Sequence, residues 1–200
     1  MKLSKRGEYA LRTLINLGIA AEVKRPLVQV SELADNEQLP VKFLEQIMQT
    51  LKDAGWVESQ RGKFGGYRLA KPSRQITIGE VVRLIDGPLA PIGCVSHTAY
   101  EKCTCPDETH CGLRMLMLDV RNAIANILDR YTLADVVEVT LRKLRRDSVP
   151  LPFSPEADAA GASAPRLPAR AARKLASRAT RPRLTEADGV LHQLLGDYTI

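Results

Sequence analysis

Apolar residues recur at three- and four-residue intervals through most of the first 145 positions, the spacing of helices with one buried face. Tyr9, Leu11, Leu14, Ile15, Leu17 and Ile19 mark the first such helix, over residues 5–22. Val30 to Glu37 reads as a short second helix. Leu39-Pro40 is a turn and a natural start for a third over Val41 to Ala54, because proline fits the first helical turn. Its apolar positions are Phe43, Leu44, Ile47, Met48 and Leu51, and Gly55 stands where a C-terminal cap belongs. The pattern then changes to alternation. Residues 56–60 and 67–70 read as two short strands around the glycine-rich turn RGKFGG, a hairpin. Thr77 and Glu80 have the spacing of a capping box, so a helix is expected over 78–86, ended by Gly87-Pro88. Leu113, Leu116, Val120, Ile124, Ile127 and Leu128 form one long stripe over 109–130, and Thr132 is placed to cap a last helix through Arg145.

The chain divides accordingly. Residues 1–90 carry the helices and hairpin, 91–112 have the composition of a loop, and 113–147 are two helices. Residues 148–200 are rich in Pro, Ala and Arg and are expected to be a disordered basic tail, apart from a short amphipathic stretch around Val190 to Leu195. The fold class is mostly α with a small β-hairpin: a winged helix-turn-helix followed by a long helix. No run of about eighteen apolar residues exists to span a membrane. Glu8, Arg12 and Asn16 interrupt the N-terminal apolar stretch, which argues against a signal peptide and for a cytoplasmic protein.

A net charge of +6 and a pI of about 9.3 suggest an anionic partner. Three helices followed by a hairpin is the order in which a recognition helix enters the major groove and a wing grips alongside. The recognition helix would then be 41–54. Gln46 and Glu45 are the candidates for base edges, Lys42 for phosphate, and Phe43 for the same face. At the wing tip Arg61 and Lys63 supply cations, and Gly65 allows close approach to a sugar-phosphate backbone. The alternative is a plain hairpin with solvated charges.

The segments MKLSKRGEYAL, FLEQIMQTLKDAGWVESQRGKFGGYRLAKP and ITIGEVVRLIDGP resemble the Rrf2 family of winged-helix transcriptional regulators, which includes regulators of the IscR, NsrR and RirA kind. The likeness covers roughly residues 1–145. It implies double-stranded DNA as partner and a homodimer in which the long helix after the cysteine loop crosses its twin. The stripe from Leu113 to Leu128 suits that role independently, being too apolar to stand exposed on a monomer; packing on the protein's own core is the alternative.

All four cysteines, Cys94, Cys103, Cys105 and Cys111, fall within eighteen residues. In a reducing compartment such clustering favours metal or redox chemistry over structural disulfides. Thiolates hold iron–sulfur clusters, and zinc accepts four of them. The family resemblance implies a 2Fe-2S or 4Fe-4S cluster on three cysteines of this loop. Cys94 takes the first position, and Cys105 and Cys111 match the usual gap of the last two. Cys103 is then an extra thiol, able to replace Cys105 or complete a set of four. In some relatives a carboxylate on the first helix of the other subunit is the fourth ligand, and Glu8 occupies that position; its alternative is an ordinary surface glutamate. Arg114 stands where other relatives carry a histidine, and His97 and His110 read as solvated loop residues. Structural zinc and a metal-free thiol switch remain alternatives. A cluster would tie the first helix, the loop and the long helix together, so its state would set the spacing of two recognition helices on DNA.

An enzyme is the reading from another class, a thiol oxidoreductase in particular. The sequence has no Cys-x-x-Cys at a strand–helix junction, no glycine-rich nucleotide loop ahead of a helix and no supportable Ser-His-Asp set. No catalysis and no small-molecule substrate are expected.

Overall fold

The computed structural model describes residues 2–62 and 64–154. Six α-helices and one two-stranded sheet make up the regular structure there. Helix α1, Lys5–Glu22, runs through the centre of the core, burying Ala10, Leu14, Leu17 and Ile19. Ser4 caps it by accepting the Gly7 N–H at 3.0 Å. Helix α2, Val30–Glu37, starts on a capping box between Gln29 and Glu32. Helix α3, Val41–Asp53, starts at Pro40 and buries Leu44, Ile47, Met48 and Leu51 completely. Gly55 follows in a left-handed backbone, φ 72°, and turns the chain into the sheet.

Strands β1, Val57–Gln60, and β2, Gly66–Leu69, pair antiparallel with Val57 opposite Leu69 and Gln60 opposite Gly66. Val28, ahead of α2, adds a bridge to β2: its N–H donates to Tyr67 O at 3.0 Å and its carbonyl accepts the Tyr67 N–H at 2.8 Å. A Cβ on Gly66 would come within 2.7 Å of the Val28 carbonyl, so the bridge depends on glycine there. A short 3-10 turn, Ser73–Gln75, leads to α4, Ile78–Asp86, which opens on the capping box of Thr77 and Glu80. Helices α5, Gly112–Arg130, and α6, Leu133–Arg146, complete the fold. The starts of α4 and α6 are stitched together, Ile78 N–H to Tyr131 O at 2.9 Å and Leu133 N–H to Ile76 O at 2.8 Å.

Two expectations change. The apolar stripe of α5 is two faces rather than one. Ile124 and Leu128 pack with Ile78, Val82 and Leu89 of the α4 region, whereas Leu113, Leu116, Val120 and Ile127 stand exposed along with Met115. The helix therefore serves its own chain with one edge and leaves a second apolar face uncovered. Packing on the core also continues past position 148. Leu151 packs against the main core and Phe153 is buried in it, because the chain turns back over the helices after α6. The remainder of the basic tail, including the stretch around Val190, lies outside the described residues.

Candidate nucleic-acid interface and cysteine centre

Helix α3 presents Val41, Lys42, Glu45, Gln46 and Gln49 to solvent on the face opposite its buried leucines. Of the four positions expected to face a nucleic acid, Lys42, Glu45 and Gln46 therefore stand free on one surface. Phe43 does not join them. Its ring is half-buried and meets Tyr9 of α1 edge-on, with centroids 5.8 Å apart at 85°. The aromatic pair joins α1 to α3, and Phe43 packs partly buried against the main core. Arg6, which sequence reasoning passed over, reaches from α1 to the far end of the α3 surface and donates to the Thr50 hydroxyl at 2.7 Å.

The wing tip is built on glycine. Gly62 has φ 114°, the Gly65 N–H donates to Gly62 O at 2.9 Å, and a Cβ on Gly65 would lie 2.2 Å from Gln60 O. Gly65 is thus required by the turn itself, whatever approaches it. Arg61 is exposed at the tip, and Phe64 beside it is the most exposed large apolar residue described. Lys63 lies outside the described residues. A polar groove of about 470 Å³ runs from the start of α2 to the wing, lined by Gln29, Ser31, Lys52, Ser59, Arg61 and Tyr67 among others. Lys52, at the end of α3, donates to Ser59 of β1 at 2.9 Å and so ties α3 to the hairpin. The groove thus brings Lys52 of α3 and Arg61 of the wing tip onto one lining.

The cysteine loop folds over the start of α5. Cys94 is buried in a 3-10 turn, Gly93–Val95, Cys111 precedes the first residue of α5, and Cys103 and Cys105 lie on the strand of loop between. All four line a single cavity of about 300 Å³, shared with Ile92, Glu101, Lys102, Leu113 and Arg114. Arg114 holds the loop in place, donating to Cys94 O at 3.3 Å and pairing with Glu108 at 3.2 Å. Glu108 in turn accepts from the Tyr100 hydroxyl at 2.7 Å.

The thiols act on one another across the cavity, Cys94 with Cys103, Cys103 with Cys105, and Cys105 with Cys111. Cys103 accepts hydrogen bonds from the backbone N–H and the thiol of Cys105, which lowers its pKa. Cys105, between Cys103 and Cys111, is pushed up to about 11, and burial raises Cys94. Cys103 therefore sits inside the thiol chain, although spacing had marked it as the extra member. This serial arrangement is not a closed ligand shell: among the described residues no three His, Cys, Asp or Glu side chains are already set around one point. Glu8 does not line the cavity of its own chain. It pairs with Lys5 at 2.7 Å and Arg12 at 3.6 Å on the exposed side of α1. His110 is exposed and bound to Asp107 at 2.6 Å, and His97 is exposed but accepts a hydrogen bond from Arg121 at 2.7 Å.

The chain matches, over residues 3–139, the sequence model of the Rrf2 family, described as iron-dependent transcriptional regulators. An Rrf2-like HTH-type transcriptional regulator of Rhodobacter capsulatus is 38% identical over 137 residues, covering 68% of this chain and 91% of the relative. Among solved structures, CymR of Bacillus subtilis, the global cysteine regulator, superposes with a TM-score of 0.58 at 29% identity, covering 69% of this chain and 97% of CymR. IscR of T. potens superposes with a TM-score of 0.54 at 25% identity, covering 69% and 87%.

Proposed function

This chain belongs to the Rrf2 family of DNA-binding transcriptional regulators, and from that premise we propose that it acts as a homodimer whose grip on its DNA site is set by an iron–sulfur cluster at Cys94, Cys103, Cys105 and Cys111. The observation that carries the reading is the convergence of all four thiols on one cavity at the base of α5. That cavity adjoins the face of Leu113, Leu116, Val120 and Ile127, which a second copy of α5 would cover. A signal received by the thiols thus arises at one end of the surface that would set the distance between two recognition helices.

The donor set fits the cofactor. Four sulfurs, one buried, two half-buried and one exposed, are the donor type that holds an iron–sulfur cluster. A cluster there would supply a crosslink that responds to iron supply, oxygen or nitric oxide. The protein's own side chains do the rest. Cys94 anchors the turn Gly93–Val95, Cys111 anchors the start of α5, and Arg114 joins the two through the Cys94 carbonyl. Cys103 lines the cavity with Cys94, Cys105 and Cys111 and would complete a four-sulfur set. Glu8 enters only across the dimer: the partner subunit's Glu8 would have to leave Lys5 and Arg12 to reach the cavity.

On DNA, Gln46 and Glu45 would read base edges, Lys42 would hold phosphate, and Arg61 with the groove beside Lys52 would follow the backbone to the minor groove. The test is anaerobic purification with iron and acid-labile sulfide analysis, followed by binding to the gene's own upstream DNA with and without the cluster. A brown protein whose two forms differ in affinity across a salt titration supports the reading. A colourless zinc-loaded protein, or equal affinity of the two forms, removes it.

A further inference from the structure

Arg121, in the middle of α5, is 8% exposed and is the one charged side chain among the buried residues described. Its Nη2 donates to His97 Nε2 at 2.7 Å, while its Nε is buried without any hydrogen-bond partner. A guanidinium only donates, so His97 Nε2 is the acceptor of this contact, and an imidazole is never anionic and brings no counter-charge. Burying a guanidinium without an opposite charge is costly, and such groups are retained where something negative meets them.

The space beside Arg121 supplies room for that charge. A cavity of about 170 Å³ lies between the turn after α4 and the loop that follows Cys94, lined by Leu89, Ser96, His97, Arg121, Ala125 and, at one side, Arg83. No carboxylate lines it. Asp129, the nearest candidate, is already held by Arg83. The hydroxyl of Ser96, itself 7% exposed, accepts the Ala99 N–H at 3.0 Å and keeps its own proton to donate. The guanidinium of Arg121, the buried hydroxyl of Ser96 and, at one side, the Asp129-bound Arg83 thus line a volume of roughly five to six water molecules.

We propose that this cavity is a binding site for a small oxyanion, orthophosphate or a short carboxylate, received by the guanidinium of Arg121, with the Ser96 hydroxyl donating to it and the Asp129-bound Arg83 at one side. The planar fork of arginine matches two oxygens of either group. The site is separate from the cysteine cavity and shares none of its lining residues. It joins α5 to the segment that carries Cys94, so a bound anion would brace that segment whatever the state of the thiols.

The test is thermal unfolding of the full-length protein, as purified, titrated with sodium phosphate and separately with sodium malonate, against sodium chloride at matched ionic strength. A saturable rise in Tm of at least about 2 °C is expected in one arm, and the arm identifies the anion. Arg121→Met removes the orphaned charge while keeping the volume. It should fold at least as well as the wild type in anion-free buffer and lose the response. Arg74→Gln, at an exposed arginine away from the cavity, should keep it. The proposal is overturned if neither anion exceeds chloride, or if Arg121→Met responds as the wild type does. It is equally overturned if Arg121→Met is strongly destabilised without anion, since Arg121 would then already have a protein carboxylate, such as one from a second copy.

Discussion

Arg83 of α4 holds Asp129 of α5 through two hydrogen bonds, at 2.6 and 2.7 Å, and so fastens the long helix to the half of the molecule that carries the wing. The hydrogen bond from Arg83 lowers the pKa of Asp129 below the ordinary aspartate value. A depressed carboxylate contributes stability above its unfolded pKa, about 3.9, and loses it as pH falls through the lower native value. Both side chains are about two-fifths exposed, so the contribution at neutral pH is at most about 1 kcal/mol. Urea unfolding of the wild type and Asp129→Asn should therefore differ by that amount at pH 7 and converge below pH ~3. A difference that persists in acid would assign the effect to packing instead.

Gly18 lets α1 and α6 approach closely. A Cβ there would lie 2.6 Å from Cγ2 of the buried Val137. Valine is stiff about χ1 and cannot swing aside, so Gly18→Ala should overpack the core. The better helix propensity of alanine returns up to about 1 kcal/mol, leaving a net loss of about 1–2 kcal/mol. Adding Val137→Ala should cost less than the sum of the two single changes, by chemical denaturation. Strict additivity would show that the clash does not govern the contact.

The α3 surface and the wing should separate in DNA binding. Gln46→Ala should cost about 1–3 kcal/mol on the preferred site and little on random duplex, because it removes a base contact. Arg61→Ala should weaken both alike and reduce the slope of log K against log salt by about 1. Phe43→Leu should lower thermal stability through its contact with Tyr9 and leave the affinity of the folded protein nearly intact. Anisotropy titrations at several salt concentrations distinguish the three. Equal selectivity in wild type and Gln46→Ala would remove α3 as the reading element.

The outer face of α5 should govern assembly. Leu116 and Ile127 are each more than half exposed, so a charge at either has little to disturb within one chain. Leu116→Glu with Ile127→Glu should keep the wild-type circular dichroism and sediment as a monomer where the wild type sediments as a dimer. Identical masses for the two would place the dimer contact elsewhere.

Local pattern accounts well for the elements. Helices over 5–22, 30–37 and 78–86 stand at the bounds that periodicity and the Thr77 capping box dictate, and the strands fall within one residue of the alternating runs. These signals act within a few residues, where side-chain direction follows directly from backbone geometry. What spacing did not reveal depends on long-range approach. The side chain of Phe43 is as apolar as any groove-facing residue could be, and only the arrival of Tyr9 assigns it to packing. Cys103 looks surplus by spacing, and only the fold of the loop puts it between Cys94 and Cys105. Nothing in the local pattern singles out Arg121, whose burial comes from the packing around α5 and whose bond to His97 spans 24 residues.

The late boundary of the tail has a practical side. Composition changes at Pro150, which makes that position the obvious place to shorten the protein, yet Phe153 is lodged among the helices three residues further on. Its backbone adopts φ 64°, a left-handed conformation uncommon for a phenylalanine, in a chain that bends back to seat the ring. A version ending at 150 would lose this cork and melt at a lower temperature, whereas one ending at 154 would retain it. A single aromatic side chain thus ties the chain beyond Pro150 to the helices.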